Sequence, residues 1–127
     1  MAATKCNLML VSQKEDELKP LSKSMGELVS LDQIWASSAA QSLVLAKDRK
    51  YQLIVIGAQL DADPKQLVAA LVEMDAFAYT AVVSDEPEDD FHERFEGLGV
   101  LSQLPNGPGP QQAAELVRRL KAVAAIN

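Results

Sequence analysis

Apolar and polar residues follow one another in blocks along this chain, and their periodicity shifts between that of strands and that of helices. "CNLMLV" (Cys6 to Val11) is a short apolar run that stops at the polar "SQKED", and it predicts a first strand. Leu18, Leu21, Met25, Leu28 and Val29 then recur at spacings of three and four, one face of an amphipathic helix, with Pro20 tolerated within its first turn. "DQIWA" predicts a second strand, and Ser37 and Ser38 are placed to cap a short helix through "AAQSLVLAKD". "YQLIVIG" is apolar on both faces, which suits a central parallel strand covered by helices on either side. "DADPKQLVAALVEMDAF" follows as a third helix, with Asp63 as N-cap, Pro64 at the first helical position, and Leu67, Val68, Leu71 and Val72 as the buried stripe. "YTAVVS" predicts a fourth strand ending at Ser84, and "DEPEDDFHERFEGLG" a short acidic helix with Phe91, Phe95 and Leu98 facing in. "GVLSQL" is the fifth strand. After the breaker-rich "PNGPGP", Pro110 starts a last helix whose apolar face is Ala113, Leu116, Val117, Leu120, Val123 and Ala124.

Strand and helix thus alternate five times, with no linker, low-complexity gap or repeat beyond the βα unit. Right-handed crossovers leave few solutions for such a pattern, so the expected fold is α/β, a five-stranded parallel sheet with helices on both faces. At 127 residues the chain has about the length that encloses one core, and a single domain over 1–127 is the expectation.

Composition narrows the function classes. Nearly half of the residues are apolar and about a quarter charged, as in ordinary globular proteins. "LIVIGAQL" and "AYTAVV" are far shorter than the roughly 20 residues of a membrane helix, and "MAATKCNLMLVSQKED" lacks the form of a secretory signal. No membrane partner is expected, and a cytoplasmic location is the default. One cysteine excludes an internal disulfide, and one histidine beside it argues against a Cys/His metal site. The net charge of −6 has the wrong sign for nucleic-acid binding, and the one basic group, Arg118, Arg119 and Lys121, reads as solvated surface complementing a helix C-terminus.

In an open parallel sheet, ligands bind at the carboxyl ends of the strands, near the point where strand order reverses. Those ends carry Ser12 and Gln13, Gly57 and Ala58, Ser84 and Asp85, and Ser102 and Gln103. Five βα units in this length, with "LMLVSQ", "YQLIVIG", "TAVVSD" and "GVLSQLP" in this order, resemble the receiver domain of bacterial two-component response regulators. "SSAAQSLVLAKDRKYQLIVIGA" matches best, having the receiver's rhythm of second helix, short connector and central strand. The resemblance covers nearly the whole chain and implies a flavodoxin-like, receiver-like sheet.

It also implies a site, and the site is degenerate. Receivers carry a phospho-accepting Asp at the end of the third strand, where this chain has Gly57. They carry an acidic pair after the first strand, where it has Ser12 and Gln13. The Thr or Ser ending the fourth strand is matched by Ser84. The Lys ending the fifth falls on Gln103, with Leu104 intervening before Pro105. Phosphoryl transfer to a carboxylate needs an oxygen nucleophile, a hard cation anchored by carboxylates, and donors for the equatorial oxygens. Gly57 removes the nucleophile, the neutral pair removes the metal anchor, and Gln103 removes the cationic donor. Sliding the first motif would bring Glu15 and Asp16 toward the acid positions, but acids there fit the start of the first helix. Asp61 and Asp63 lie several residues beyond the third strand.

The expected function is therefore a non-enzymatic pseudo-receiver, independent of phosphorylation, with no cofactor and no metal. Its implied partner is another signalling protein or a second copy of itself. In receivers the fourth helix, fifth strand and fifth helix form the face that meets partners, and here an acidic fourth helix opposes a basic fifth. The alternative is a small-molecule sensor using a neutral cleft of Ser12, Gln13, Gly57, Ser84 and Gln103, since a glycine at a strand end lets a ligand approach the backbone. An enzyme ranks lowest, because no acid–base pair, nucleophile elbow or phosphate loop is present and prolines interrupt "NGPGP". Cys6 reads as a packed, inert thiol, His92 as a surface imidazole beside Asp90 and Glu93, and Trp35 as core or rim.

Overall fold

The structure, a computed structural model, describes residues 5–123. Five strands, β1 (Cys6–Val11), β2 (Leu31–Ala36), β3 (Leu53–Ile56), β4 (Tyr79–Val83) and β5 (Val100–Leu104), alternate with five helices. These are α1 (Lys19–Leu28), α2 (Ala39–Asp48), α3 (Pro64–Met74), α4 (Glu88–Arg94) and α5 (Pro110–Val123). All neighbouring strands are parallel, in the order β2-β1-β3-β4-β5. The expected fold class is the observed one.

Side chains that alternate along each strand divide the core in two. Leu8, Leu10, Leu53 and Val55 face one way and are covered by Leu21 and Met25 of α1 and Leu116 and Leu120 of α5. Met9, Val11, Ile54 and Ile56 face the other way, against Leu67, Val68 and Leu71 of α3 and Phe91 and Phe95 of α4. β1 and β3 thus carry apolar residues on both faces, as their sequences require. Trp35 packs at the edge of the first cluster, and Cys6 is wholly buried in it.

The chain runs from β1 outward to β2 and then crosses to β3 on the other flank of β1. Strand order reverses there, so the loops after β1 and β3 diverge and leave a rim between them. The β1 loop is a 3₁₀ turn, Glu15–Glu17, ahead of α1. Glu15 and Asp16 are exposed in that turn and do not begin the helix, which starts after Leu18.

Several expected positions differ. Leu28 and Val123, placed on apolar faces by their spacing, are each 48% exposed, because both sit at the last residue of their helices. Asp63 stands at the N-cap of α3, but its carboxylate makes no capping bond and pairs instead with Arg94. Ser38 does cap α2, accepting from the Gln41 amide at 3.0 Å. His92 lies nearest Glu88, one turn earlier, at 3.6 Å. Ala124 lies outside the described residues.

Candidate functional site

Ser12 and Gly57 extend β1 and β3, which are neighbours in the sheet, by one residue each. The Ser12 amide donates to Ala36 O at 3.0 Å and the Gly57 amide to Val11 O at 2.8 Å. Both residues are buried. The Gln13 amide donates to Gln59 O at 2.8 Å, tying the β1 loop to the β3 loop, while the Gln13 side chain faces solvent.

Glu17 completes this pairing. Its Oε2 accepts from the Ala58 amide at 2.8 Å, and its Oε1 accepts from the Gln59 amide at 3.3 Å and from the Ser12 hydroxyl, whose proton it shares with Lys14 O, both at 2.9 Å. Ser12 Oγ in turn accepts from the Lys14 amide at 3.0 Å, which shapes the turn that delivers Glu17. The carboxylate stands where a side chain at Gly57 would begin. A Cβ built on Gly57 would collide with Glu17 Oε1 and lie 3.1 Å from both Glu17 Cδ and Ser12 Cβ. Glycine is needed here for close approach, and φ at Gly57 is not in the left-handed region.

A second polar cluster joins β4, β5 and α4. Ser84 Oγ donates to Glu86 Oε1 and accepts from the Glu86 amide, each at 3.1 Å. Gln103 Nε2 donates to the carbonyls of Ser84 and Glu86, at 3.2 and 2.9 Å, so it braces the loop after β4. Arg94 bridges Glu86 and Asp63, both at 2.7 Å. Burial alone would pull its guanidinium pKa down, but the hydrogen bonds to Asp63 and Glu86 outweigh that and hold it above the ordinary arginine value.

Between the two clusters lies an open cleft of about 390 Å³, lined by Gly57, Ser84, Asp85, Glu86, Arg94 and Asn106 among others. The structure therefore brings Ser12 and Gly57 together through Glu17, and Ser84 and Gln103 through the β4 loop. Only Gly57 and Ser84 of the five face the cleft. Nor is the rim neutral, as the small-molecule reading expects, since Glu17, Asp85, Glu86 and Arg94 charge it. Glu17 is the residue that strand-end reasoning misses. The signal that could find it is the pairing of a glycine at a buried strand end with an acid five residues beyond Ser12. Among the described residues, no group of three or more His, Cys, Asp or Glu side chains is arranged to hold a metal ion.

A second concavity is a groove of about 820 Å³ between α4 and α5 across β5. Phe91, Phe95, Val100 and Leu101 form its apolar part, with Glu93 and Glu96 on one side and Arg119 on the other. Arg118 and Arg119 both hold Glu115, at 2.6 and 2.9 Å, and their hydrogen bonds lower its carboxyl to about 2. Arg119 also donates to Leu101 O at 2.8 Å, occupying one carbonyl on the open edge of β5.

No family model matches the sequence, and no curated protein matches it. Solved structures do match in fold. The receiver domain of AraT, a response regulator from Geobacillus stearothermophilus, superposes with a TM-score of 0.80 at 15% identity, over 94% of this chain and 95% of that one. A CheY-like response regulator receiver domain from Methanospirillum hungatei JF-1 gives 0.79 at 11% identity, over 94% and 96%. The signal receiver domain of an HD domain-containing protein from Pseudomonas fluorescens Pf-5 gives 0.78 at 18% identity, over 96% and 91%. At these identities the likeness is one of fold. No helix among the described residues is long and apolar enough to cross a membrane.

Proposed function

We propose that the chain is a pseudo-receiver, a single non-enzymatic domain of bacterial signal transduction that works by binding protein, without phosphorylation. The observation that carries this reading is Gly57 at the end of β3 with the Glu17 carboxylate over it. No aspartate stands at the end of β3, and the space for its side chain is filled by the Glu17 carboxylate, whose oxygens are held by the Ala58 and Gln59 amides and whose charge repels an incoming phosphate. The nearest acids further along are engaged elsewhere: Asp61 accepts from the Ala39 amide at 3.0 Å, and Asp63 is held by Arg94. Gln103 braces carbonyls where a phosphate-binding cation would be needed. Ser84 remains, but its hydroxyl is committed to Glu86.

The surface best suited to a partner is the α4–β5–α5 groove. Its apolar floor lies between an acidic wall and a basic one, a two-signed pattern that fits another signalling protein or a second copy of the chain. The test of phosphate independence is direct. Incubated with acetyl phosphate and magnesium, or with beryllofluoride, the protein is expected to show no acyl-phosphate adduct by intact mass and no change in Trp35 fluorescence. Stoichiometric labelling at a carboxylate refutes the reading.

One observation favours a second reading, small-ligand sensing, and that is the cleft of about 390 Å³ beside Gly57. A thermal-shift screen of nucleotides and metabolites tests it. Saturable stabilisation lost on blocking this cleft supports it, and silence across a broad panel rejects it.

A further inference from the structure

Glu17 is a half-buried acid without a cation within ion-pair distance among the described residues. Three neutral donors take the place of one. The consecutive amides of Ala58 and Gln59 point at its two oxygens, and the Ser12 hydroxyl, whose one proton is shared with Lys14 O, reaches Oε1 from the other loop. Hydrogen bonds from neutral donors to a carboxylate are charge-assisted and stronger than those to a neutral acceptor. The space for the carboxylate exists only because residue 57 has no Cβ.

We propose that the switch point is a carboxylate-binding cradle, formed by the Ala58 and Gln59 amides and the Ser12 hydroxyl, which Glu17 occupies as the chain's own ligand. The ligand class follows from the donors. A small monocarboxylate matches two consecutive amides and a hydroxyl, in a space bounded by Gly57. While Glu17 is seated, external anions are excluded, because its charge repels them and the donors are spent. The seated carboxylate also fastens the β1 loop to the β3 loop. This inference does not rest on the signalling reading; Glu17 and Gly57 would have the same relation in a chain of any function.

The test is rescue from outside. A Glu17→Ala protein is titrated with sodium acetate or formate at constant ionic strength, with chloride as control. The Ala58 and Gln59 amide resonances and the Tm are followed. Glu17→Ala is expected to move both amides upfield and lower the Tm. Acetate then returns the amides downfield saturably and raises the Tm by about 2–5 °C, whereas the wild type responds to neither salt. Gly57→Ala is expected to lower the Tm of the wild type and to cost less than half as much in the Glu17→Ala background, since its collision partner is gone. Amides unmoved by Glu17→Ala overturn the proposal, as does an acetate response no greater than that to chloride, a wild-type response equal to the variant's, or an equal cost of Gly57→Ala in both backgrounds. Should Glu17→Ala not fold, Glu17→Gln keeps the size and one acceptor oxygen. It is then expected to lose the downfield position of one of the two amides, and retention of both overturns the cradle.

Discussion

Cys6 has no exposed surface at the start of β1, and burial pushes its thiol up from 9.0 to about 11. Such a thiol stays protonated at neutral pH and is a poor nucleophile. The folded protein then holds this proton more tightly than the unfolded chain does. The corresponding stability is present in full below about pH 9 and is lost as pH rises towards 11, a loss of about 2–3 kcal/mol. Cys6→Ala should remove that part of the alkaline slope. Urea unfolding of both proteins between about pH 8 and pH 11 measures it, and parallel slopes would contradict the account. The burial of Cys6 was legible in the sequence, since "CNLMLV" is apolar apart from Asn7. The role of Glu17 was not. In "SQKEDE" all three acids look alike, and which one turns inward depends on amides at 58 and 59 that meet it only in the folded chain.

At the scale of elements, α2 and α3 begin with the same kind of signal and end differently. Ser38 accepts the Gln41 amide, so Ser38→Ala should cost about 1 kcal/mol and loosen the first turn of α2. Asp63 spends its carboxylate on Arg94, so Asp63→Ala should leave the first turn of α3 as protected as before. Its cost should appear at α4 and stay within about 0.2–1 kcal/mol, because the ion pair is partly exposed. Amide hydrogen exchange of the two variants separates these outcomes; deprotection of α3 by Asp63→Ala would show that the acid caps after all. Apolar spacing and turn signals locate the five strands and five α-helices, but not the 3₁₀ turn at Glu15–Glu17, whose acids were expected to begin the first helix. Sequence reading misread Asp63 because a local Asp-Pro pattern contains no trace of an arginine 31 residues away. It overextended the stripes of α1 and α5 for a related reason: spacing continues to a helix's last residue, whether or not the neighbouring layer does.

For the whole molecule, strand–helix alternation predicts a parallel sheet, but periodicity alone does not order the strands. The observed order puts β3 at the centre with β1 and β4 on either side, and all three feed both core clusters. The two layers therefore share their inner wall, and neither should survive loss of the other. Leu10 faces α1 and α5, and Ile56 faces α3 and α4; both are fully buried. Truncating either to alanine should cost about 2–5 kcal/mol, a large part of the about 5–15 kcal/mol that stabilises a typical domain. Trp35 fluorescence reports the Leu10 side, since Trp35 packs against that cluster, and the amides of α3 report the other. In Ile56→Ala the Trp35 transition in urea is expected to move by as much as that of α3, although the deleted methyl groups lie across the sheet from the indole. The converse is expected for Leu10→Ala. A variant in which one probe shifts and the other keeps its wild-type midpoint would mean that the layers unfold separately and that the central strands do not couple them.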